Sequence, residues 1–224
     1  MRKAFALFSI VMFGCMFLGI AQAGELGAPA PYAKEGKYAA SLGYSYYNDV
    51  KVKGDEGDTA KLTQNQFTLE GDYGLARGWE VFLRIGMADT KAEDFHSDYT
   101  YLATLGFRGL FYESGPFGVG GTIVGTYYGE FKDQDVKFTN PYELALGIAG
   151  QYNFGPAILY AGPYVYMQRA KVEFPGGSDN LEEDSVWGGY GGLRFGGIPG
   201  GGFANLEYRY QSGNVFSFTL GLAF

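Results

Sequence analysis

The sequence predicts an all-β chain: an antiparallel up-and-down barrel that crosses a membrane with its strands. Three observations carry this prediction. The last nine residues, Phe216 to Phe224, put a large apolar side chain at every second position and stop on an aromatic. That is the two-residue period of a strand with one oily and one polar face. A transmembrane barrel gives a reason to end on such a strand, because the last strand must close against the first. Segments of the same kind recur along the chain, and the connections between them are by turns short and long, as the two ends of a membrane barrel require.

Arg2 and Lys3 form a short basic region ahead of an apolar run from Ala4 to Ala21, and Ala21-Gln-Ala23 supplies the small-x-small pattern of a signal-peptidase site. Residues 1–23 are therefore expected to be a cleaved signal peptide. The rival is an uncleaved anchor, since the run approaches spanning length. The residues before Cys15, Met12-Phe-Gly14, fit a lipobox poorly, so Cys15 reads as an ordinary signal-peptide residue. It is the single cysteine, so the mature chain has no thiol chemistry to offer. No later stretch is apolar enough for long enough to be a membrane helix. Aromatics at 18% and 37 glycines suit twisted, closely packed strands better than helices. Without Arg2 and Lys3 the chain keeps 15 basic residues against 24 acidic ones, a formal charge of −9 that argues against a nucleic-acid partner.

Residues 24–36 (GELGAPAPYAKEG) are rich in Pro, Ala and Gly and carry no pattern; they read as a periplasmic leader before a barrel of residues 37–224. Ten strand segments follow, at roughly 37–48, 62–75, 78–89, 99–111, 116–130, 138–154, 157–172, 184–196, 202–211 and 214–224. In the second, Phe67, Leu69 and Tyr73 oppose Thr68, Glu70 and Asp72. In the third, Trp79, Val81, Leu83, Ile85 and Met87 oppose Glu80, Phe82, Arg84 and Gly86. In the sixth, Tyr142, Leu144, Leu146, Ile148 and Tyr152 oppose Glu143, Ala145, Gln151 and Asn153. In the ninth, Leu206, Tyr208 and Tyr210 oppose Asn205, Glu207 and Arg209.

A soluble sandwich would alternate too, but the aromatics gather near strand ends. Tyr38, Tyr44, Tyr46, Tyr73, Trp79, Tyr99, Tyr101, Tyr127, Tyr142, Tyr152, Tyr160, Tyr166, Trp187 and Tyr210 are expected on the outer face as an interfacial girdle. Ala76-Arg-Gly78, Tyr112-Glu-Ser-Gly115, Gly155-Pro156 and Gly197-Ile-Pro-Gly200 read as tight turns. The longer charged stretches 49–61, 90–98, 131–137 and 173–183 read as outer loops, with a short final one at Ser212-Gly-Asn214. Ten strands put both termini in the periplasm. Pro163 sits inside the seventh segment, where it cannot donate to a ladder, so a bulge or break is expected there. Eight strands are the structural alternative.

With the cleavage pattern, the girdled strands and Phe216 to Phe224 in view, the chain resembles the small OmpA-type bacterial outer-membrane barrels over essentially its whole mature length. The resemblance implies an integral outer-membrane location in a Gram-negative envelope, after export through the inner membrane. It implies outer-membrane lipid, lipopolysaccharide and the barrel-assembly machinery as partners. It also implies that Phe216, Phe218, Leu220, Leu222 and Phe224 carry the C-terminal assembly signal. The chain departs from the group's two-domain members in stopping at the barrel, so cell-wall tethering is not carried over. Its segment count departs from the group's usual eight.

The inward face collects charges of both signs: Glu70, Asp72, Glu80, Glu143 and Glu207 against Arg84, Arg108, Arg194 and Arg209. Ten strands leave a narrow lumen, and an unpaired buried charge costs several kcal/mol. These groups are therefore expected to form a paired network that plugs the barrel, with Arg84 and Arg108 near its middle, each beside a carboxylate. The alternative is a narrow, low-conductance channel in which pairs break to pass a small solute or ion. A third class is an enzyme at the outer rim. The lone histidine, His96, lies in Asp94-Phe-His-Ser-Asp98, and parity points Ser97 away from it; His96 reads as a solvated loop residue and no catalytic residue is assigned.

The acidic groups Asp55, Glu56 and Asp58, and Asp179, Glu182, Glu183 and Asp184, match no defined calcium loop and read as solvated faces. The glycines Gly118, Gly120 and Gly121, and the run Gly188 to Gly192, fall in strands without a following helix, so they read as clearance for aromatics rather than as phosphate cradles. No cofactor and no metal site is expected. The reading is a monomeric, non-enzymatic protein with a structural or surface-interaction role, whose outer loops could take an unidentified surface ligand.

Overall fold

A computed structural model describes residues 24–54, 59–92, 95–133, 135–175, 177–183 and 185–224. The expected cleavage point after Ala23 lies outside the described residues, as do Asp55, Glu56, Asp58, Asp94 and Asp184. Ten long strands are present: β1 (Tyr38–Gly54), β2 (Thr59–Ala76), β3 (Trp79–Ala88), β4 (Thr100–Ser114), β5 (Phe117–Tyr128), β6 (Val136–Asn153), β7 (Ala157–Phe174), β8 (Trp187–Ile198), β9 (Gly202–Tyr210) and β10 (Asn214–Ala223). Each pairs antiparallel with its neighbours in sequence, and β10 pairs with β1 from Ala39↔Ala223 to Asn48↔Asn214, which closes the barrel. Phe224 completes the seam: its N–H donates to the Tyr38 carbonyl at 2.9 Å and its carbonyl accepts from Tyr38 at 3.0 Å.

The four tight turns lie at one end together with both barrel termini. Those at Ala76-Arg-Gly78 and Gly155-Pro156 fall where the sequence puts them, whereas the other two sit slightly further on, at Gly115-Pro116 and Pro199 to Gly201, because Tyr112 to Ser114 and Gly197-Ile198 are still strand. The long strands β1, β2, β6 and β7 run 17–18 residues and continue beyond the apolar belt at the opposite, outer end. Much of the expected outer loops is therefore strand. β8, β9 and β10 stop lower, and the wall above them is carried by a short strand, Gly177–Glu183, which pairs with β7 and with the tip of β1.

Inside and outside are sorted by parity. Leu83, Ile85 and Met87 are exposed on the exterior, whereas Glu80, Phe82 and Arg84 are buried in the lumen. The girdle is present, with Tyr38, Tyr44, Tyr73, Tyr99, Tyr101, Tyr152, Trp187 and Tyr210 exposed. Two members are misassigned by the sequence reading. Tyr160 and Tyr166 point into the lumen and are buried. Their strand faces the glycine-rich β8, and an added Cβ at Gly192 would lie 2.4 Å from the Tyr160 hydroxyl, so the missing side chain there makes room for the Tyr160 ring, while the Tyr166 hydroxyl reaches Ser212 at 3.5 Å.

The expectation at Pro163 is also corrected. β7 runs through it unbroken and in register. The pairing with β6 lapses at Gly162 and Pro163 and resumes in the same register at Tyr164↔Gly147, while Pro163 stays paired with Gly189 on the other side. Register shifts lie elsewhere, at Gly74/Ala76, Leu110/Tyr112 and Phe195/Ile198 near the tight turns and at two places higher up: β1 shifts register between Tyr47 and Val50, with Asp49 at φ 54°, and β6 carries the extra residue at Asn140, φ 49°. Asp and Asn are the non-glycine residues that tolerate this left-handed conformation best.

The segment 24–36 is not a leader hanging free in the periplasm. Residues 24–29, Tyr32 and Ala33 are buried, and the segment is threaded into the lumen from the short-turn end. Only Lys34 to Lys37 are exposed, and there Gly36 donates to the Gly74 carbonyl at 2.9 Å. The physical reason is that ten strands enclose more space than their own inward side chains fill, and a stretch of Gly, Ala and Pro is slender enough to occupy the rest.

Candidate functional site: the charged lumen

β2, β3 and β4 stand side by side, and their inward positions stack Glu70, Asp72, Glu80, Arg84 and Arg108 into one cluster. Cross-strand pairing brings Glu70 opposite Arg84 and Glu80 opposite Arg108. Arg84, near the midpoint of β3, is in close contact with Glu70 through both Nε and Nη2. Arg108 is fully buried and sits among three carboxylates: Glu70 at 2.8 Å, Glu80 at 2.8 Å and Asp72 at 3.4 Å. Its guanidinium also lies 4.3 Å from the Phe82 ring centroid and 4.5 Å from that of Tyr32. Gly106 leaves the space in which the Phe82 ring sits.

On the opposite wall, β8 and β9 supply Arg194, Glu207 and Arg209. Arg209 donates to the Tyr47 hydroxyl at 2.9 Å and lies 3.7 Å from Glu207. Glu207 accepts from the Tyr160 hydroxyl at 3.0 Å, which in turn accepts from Asn205 at 2.8 Å. Arg194 meets main-chain oxygens instead of a carboxylate, donating to the Ala30 carbonyl at 2.6 Å. Glu143 is buried on β6, in register with Thr126 of β5. Glu70, Asp72, Glu80, Arg84, Arg108, Glu143, Arg194, Glu207 and Arg209 are all buried on the lumen side, and Arg84 and Arg108 each lie beside a carboxylate. The residues assigned to the C-terminal signal, Phe216, Phe218, Leu220, Leu222 and Phe224, share the exposed outer face.

Sequence reasoning missed a tenth charge and an entire layer. Glu25, on the threaded segment, is buried; it accepts from the Tyr32 hydroxyl at 2.7 Å and contacts Thr219. The segment is fixed through its main chain. Leu26 and Gly27 donate to the two oxygens of Glu207 at 2.9 and 2.7 Å, Ala30 to Gln151 at 2.9 Å, and Ala33 to Glu80 at 2.8 Å. The only advance signal was composition: a run of small residues with one acid and one aromatic. A cavity of about 40 Å³, room for roughly one water, remains at the outer end beside Gln64, Thr90 and Gln168.

The outer rim gathers less. His96 is exposed; its backbone N–H donates to Asp133 at 2.6 Å. Ser97 is buried and accepts from the Thr90 N–H at 2.8 Å, so it turns away from His96 as parity requires. Glu182 lies 3.4 Å from Arg169, and Asp179 caps the N–H of Asn180 at 2.9 Å.

No family model matches the chain, and no curated protein matches it in sequence. Solved structures do. An outer membrane channel from Pseudomonas putida F1 superposes over 91% of this chain and 100% of its own length, with a TM-score of 0.54 at 10% identity. The fold is that of an outer-membrane β-barrel. Looser likenesses are OprG from Pseudomonas aeruginosa, at 14% identity, TM-score 0.43 and 86% and 97% of the two chains, and the attachment invasion locus protein Ail of Yersinia pestis, at 19%, 0.39, and 85% and 99%. At these identities the likeness extends to architecture alone.

Proposed function

We propose that this protein is an integral outer-membrane barrel with a closed lumen, serving envelope integrity and surface contact rather than catalysis. The observation that carries the reading is Arg108, buried among Glu70, Asp72 and Glu80, with the threaded segment 24–33 filling the space beside it. A cluster in which each charge answers another resists opening, because separating any pair leaves a charge unmet in a nonpolar surrounding. The apolar exterior supports a place in lipid, with lipopolysaccharide outside and the barrel-assembly machinery reading the Phe224 end. Burial of Gly24 inside the lumen supports removal of residues 1–23 before the segment threads, since a longer chain would have to continue through a filled barrel. Membership of the OmpA-type group would be consistent with this size and role.

A second reading, a narrow channel, is favoured by one feature. The segment that fills the lumen is not part of the wall's hydrogen-bonded ladder, so it can leave without breaking a strand. Planar-bilayer conductance of the refolded chain 24–224, beside Arg84→Ala and Arg108→Ala, separates the two. The closed-lumen reading expects a silent membrane from protein whose folding is confirmed by heat-modifiable gel mobility. Discrete openings in the unaltered protein would replace it with the channel.

A further inference from the structure

We propose that the lumen is a binding site for a peptide, and that residues 24–33 occupy it as a ligand supplied by the same chain. Three observations point to this. The first is the kind of contact. Glu207, Glu80 and Gln151 accept main-chain N–H groups from Leu26, Gly27, Ala33 and Ala30, while Arg84 and Arg194 donate to the carbonyls of Glu25 and Ala30 at 3.2 and 2.6 Å. Wall side chains thus read the donors and acceptors of the segment's main chain, as peptide-recognition sites do. These five wall residues are themselves buried.

The second is selectivity at two positions. Tyr32 stacks on Phe203 with centroids 4.3 Å apart, and the guanidinium groups of Arg108 and Arg194 lie 4.5 and 4.9 Å from its ring. Gly27 has φ +78°, a conformation that L side chains rarely adopt, and a Cβ there would come within 2.3 Å of the Arg108 guanidinium, so the position favours glycine. The third is how the segment is attached among the described residues. The segment belongs to no strand and joins the barrel through the exposed Lys34 to Lys37 at the short-turn end. Pro29 and Pro31 restrict its backbone in advance, which lowers the entropy lost when it is held. The ligand class is therefore a slender Gly/Ala/Pro peptide with an acidic residue two before the glycine and an aromatic five after it. The inference goes beyond the closed lumen, because it assigns the site a ligand whether or not the barrel conducts.

A specific protease site inserted between Lys34 and Glu35 provides the test. The refolded protein is cut in detergent, then incubated with a fluorescent synthetic peptide of residues 24–33. The expected result is saturable exchange of the cut segment for the labelled one. Uptake should weaken about tenfold in Glu207→Gln and Arg194→Ala barrels, the scale of one lost hydrogen bond to a charged group. A synthetic peptide carrying Gly27→Ala should lose uptake on the unaltered barrel, which keeps the test independent of how the barrel variants fold. No exchange, or exchange indifferent to Gly27→Ala, overturns the proposal. The readout is binding, so openings in a bilayer would sink the closed-lumen reading without touching this one.

Discussion

Arg108 shows at the scale of one residue how this interior is held. It is fully buried, and it sits where carboxylates from two strands converge. Arg108→Ala would leave those carboxylates crowded together without their cation. The expected loss is about 3–5 kcal/mol, the usual cost of breaking a buried pair by removing one partner; urea unfolding of the folded barrel in lipid vesicles checks it. Tyr160 is a smaller case. Its hydroxyl joins Asn205 to Glu207, so Tyr160→Phe should cost about 1–3 kcal/mol, since both neighbours stay buried and lose a partner. A loss under half of that lower figure would mean that water replaces the hydroxyl.

Among the elements, glycines decide how closely neighbouring strands pack. At Gly162 an added Cβ would lie 1.8 Å from the Ile148 carbonyl oxygen, a backbone atom that cannot swing aside. Gly162→Ala should therefore destabilise the β6–β7 pair by about 1–3 kcal/mol, the range for overpacking, and the same unfolding assay reads it. Gly189, on the next strand, has open space around its missing side chain; Gly189→Ala is the control and should change little. At the outer end, Glu130 lies between Lys132 at 2.8 Å and Lys137 at 3.2 Å. Hydrogen bonds from Lys132 and then Lys137 hold its carboxyl below the usual range. A depressed folded value means that the contact stabilises at neutral pH and is lost as pH falls through that value. Because Glu130 is exposed, solvent screening keeps the effect small. An NMR titration of the Glu130 side chain should show a midpoint below that of Glu130 in a Lys132→Ala, Lys137→Ala double variant.

The whole molecule inverts the arrangement of a soluble protein: Leu69, Leu83, Ile85, Leu146 and Leu206 lie outside, and charges and hydroxyls lie inside. Leu83 sits halfway along β3 on the exterior. If lipid covers that face, Leu83→Arg should destabilise by about 2–4 kcal/mol, the range for an arginine at the bilayer midplane. A neutral outcome in vesicles would place the belt at a different depth.

How far the sequence could be read follows from which residues repeat. The strands were legible because inside and outside alternate residue by residue, so the chain writes its register in its own pattern. The same period placed Glu70, Arg84, Arg108 and Glu207 in the lumen before any contact was known. That the last strand closes against the first could be read from the final strand alone, but the meeting of Tyr38 and Phe224 could not. Other features required the folded barrel. Tyr160 and Tyr166 look like girdle residues until the assembled barrel gives their rings a place inside, with the bare Gly192 of β8 beside Tyr160. Pro163 looks like a strand breaker until one edge of β7 turns out to do without its hydrogen bond. The segment 24–33 has no periodicity, because it is held by side chains of distant strands, and only the assembled wall brings Glu80, Gln151 and Glu207 around it. By itself the sequence determined what repeats locally: strand, face and the sign of each inward charge. The tertiary structure alone decided what fills the space the strands enclose, because that volume exists only once the first and last strands have met.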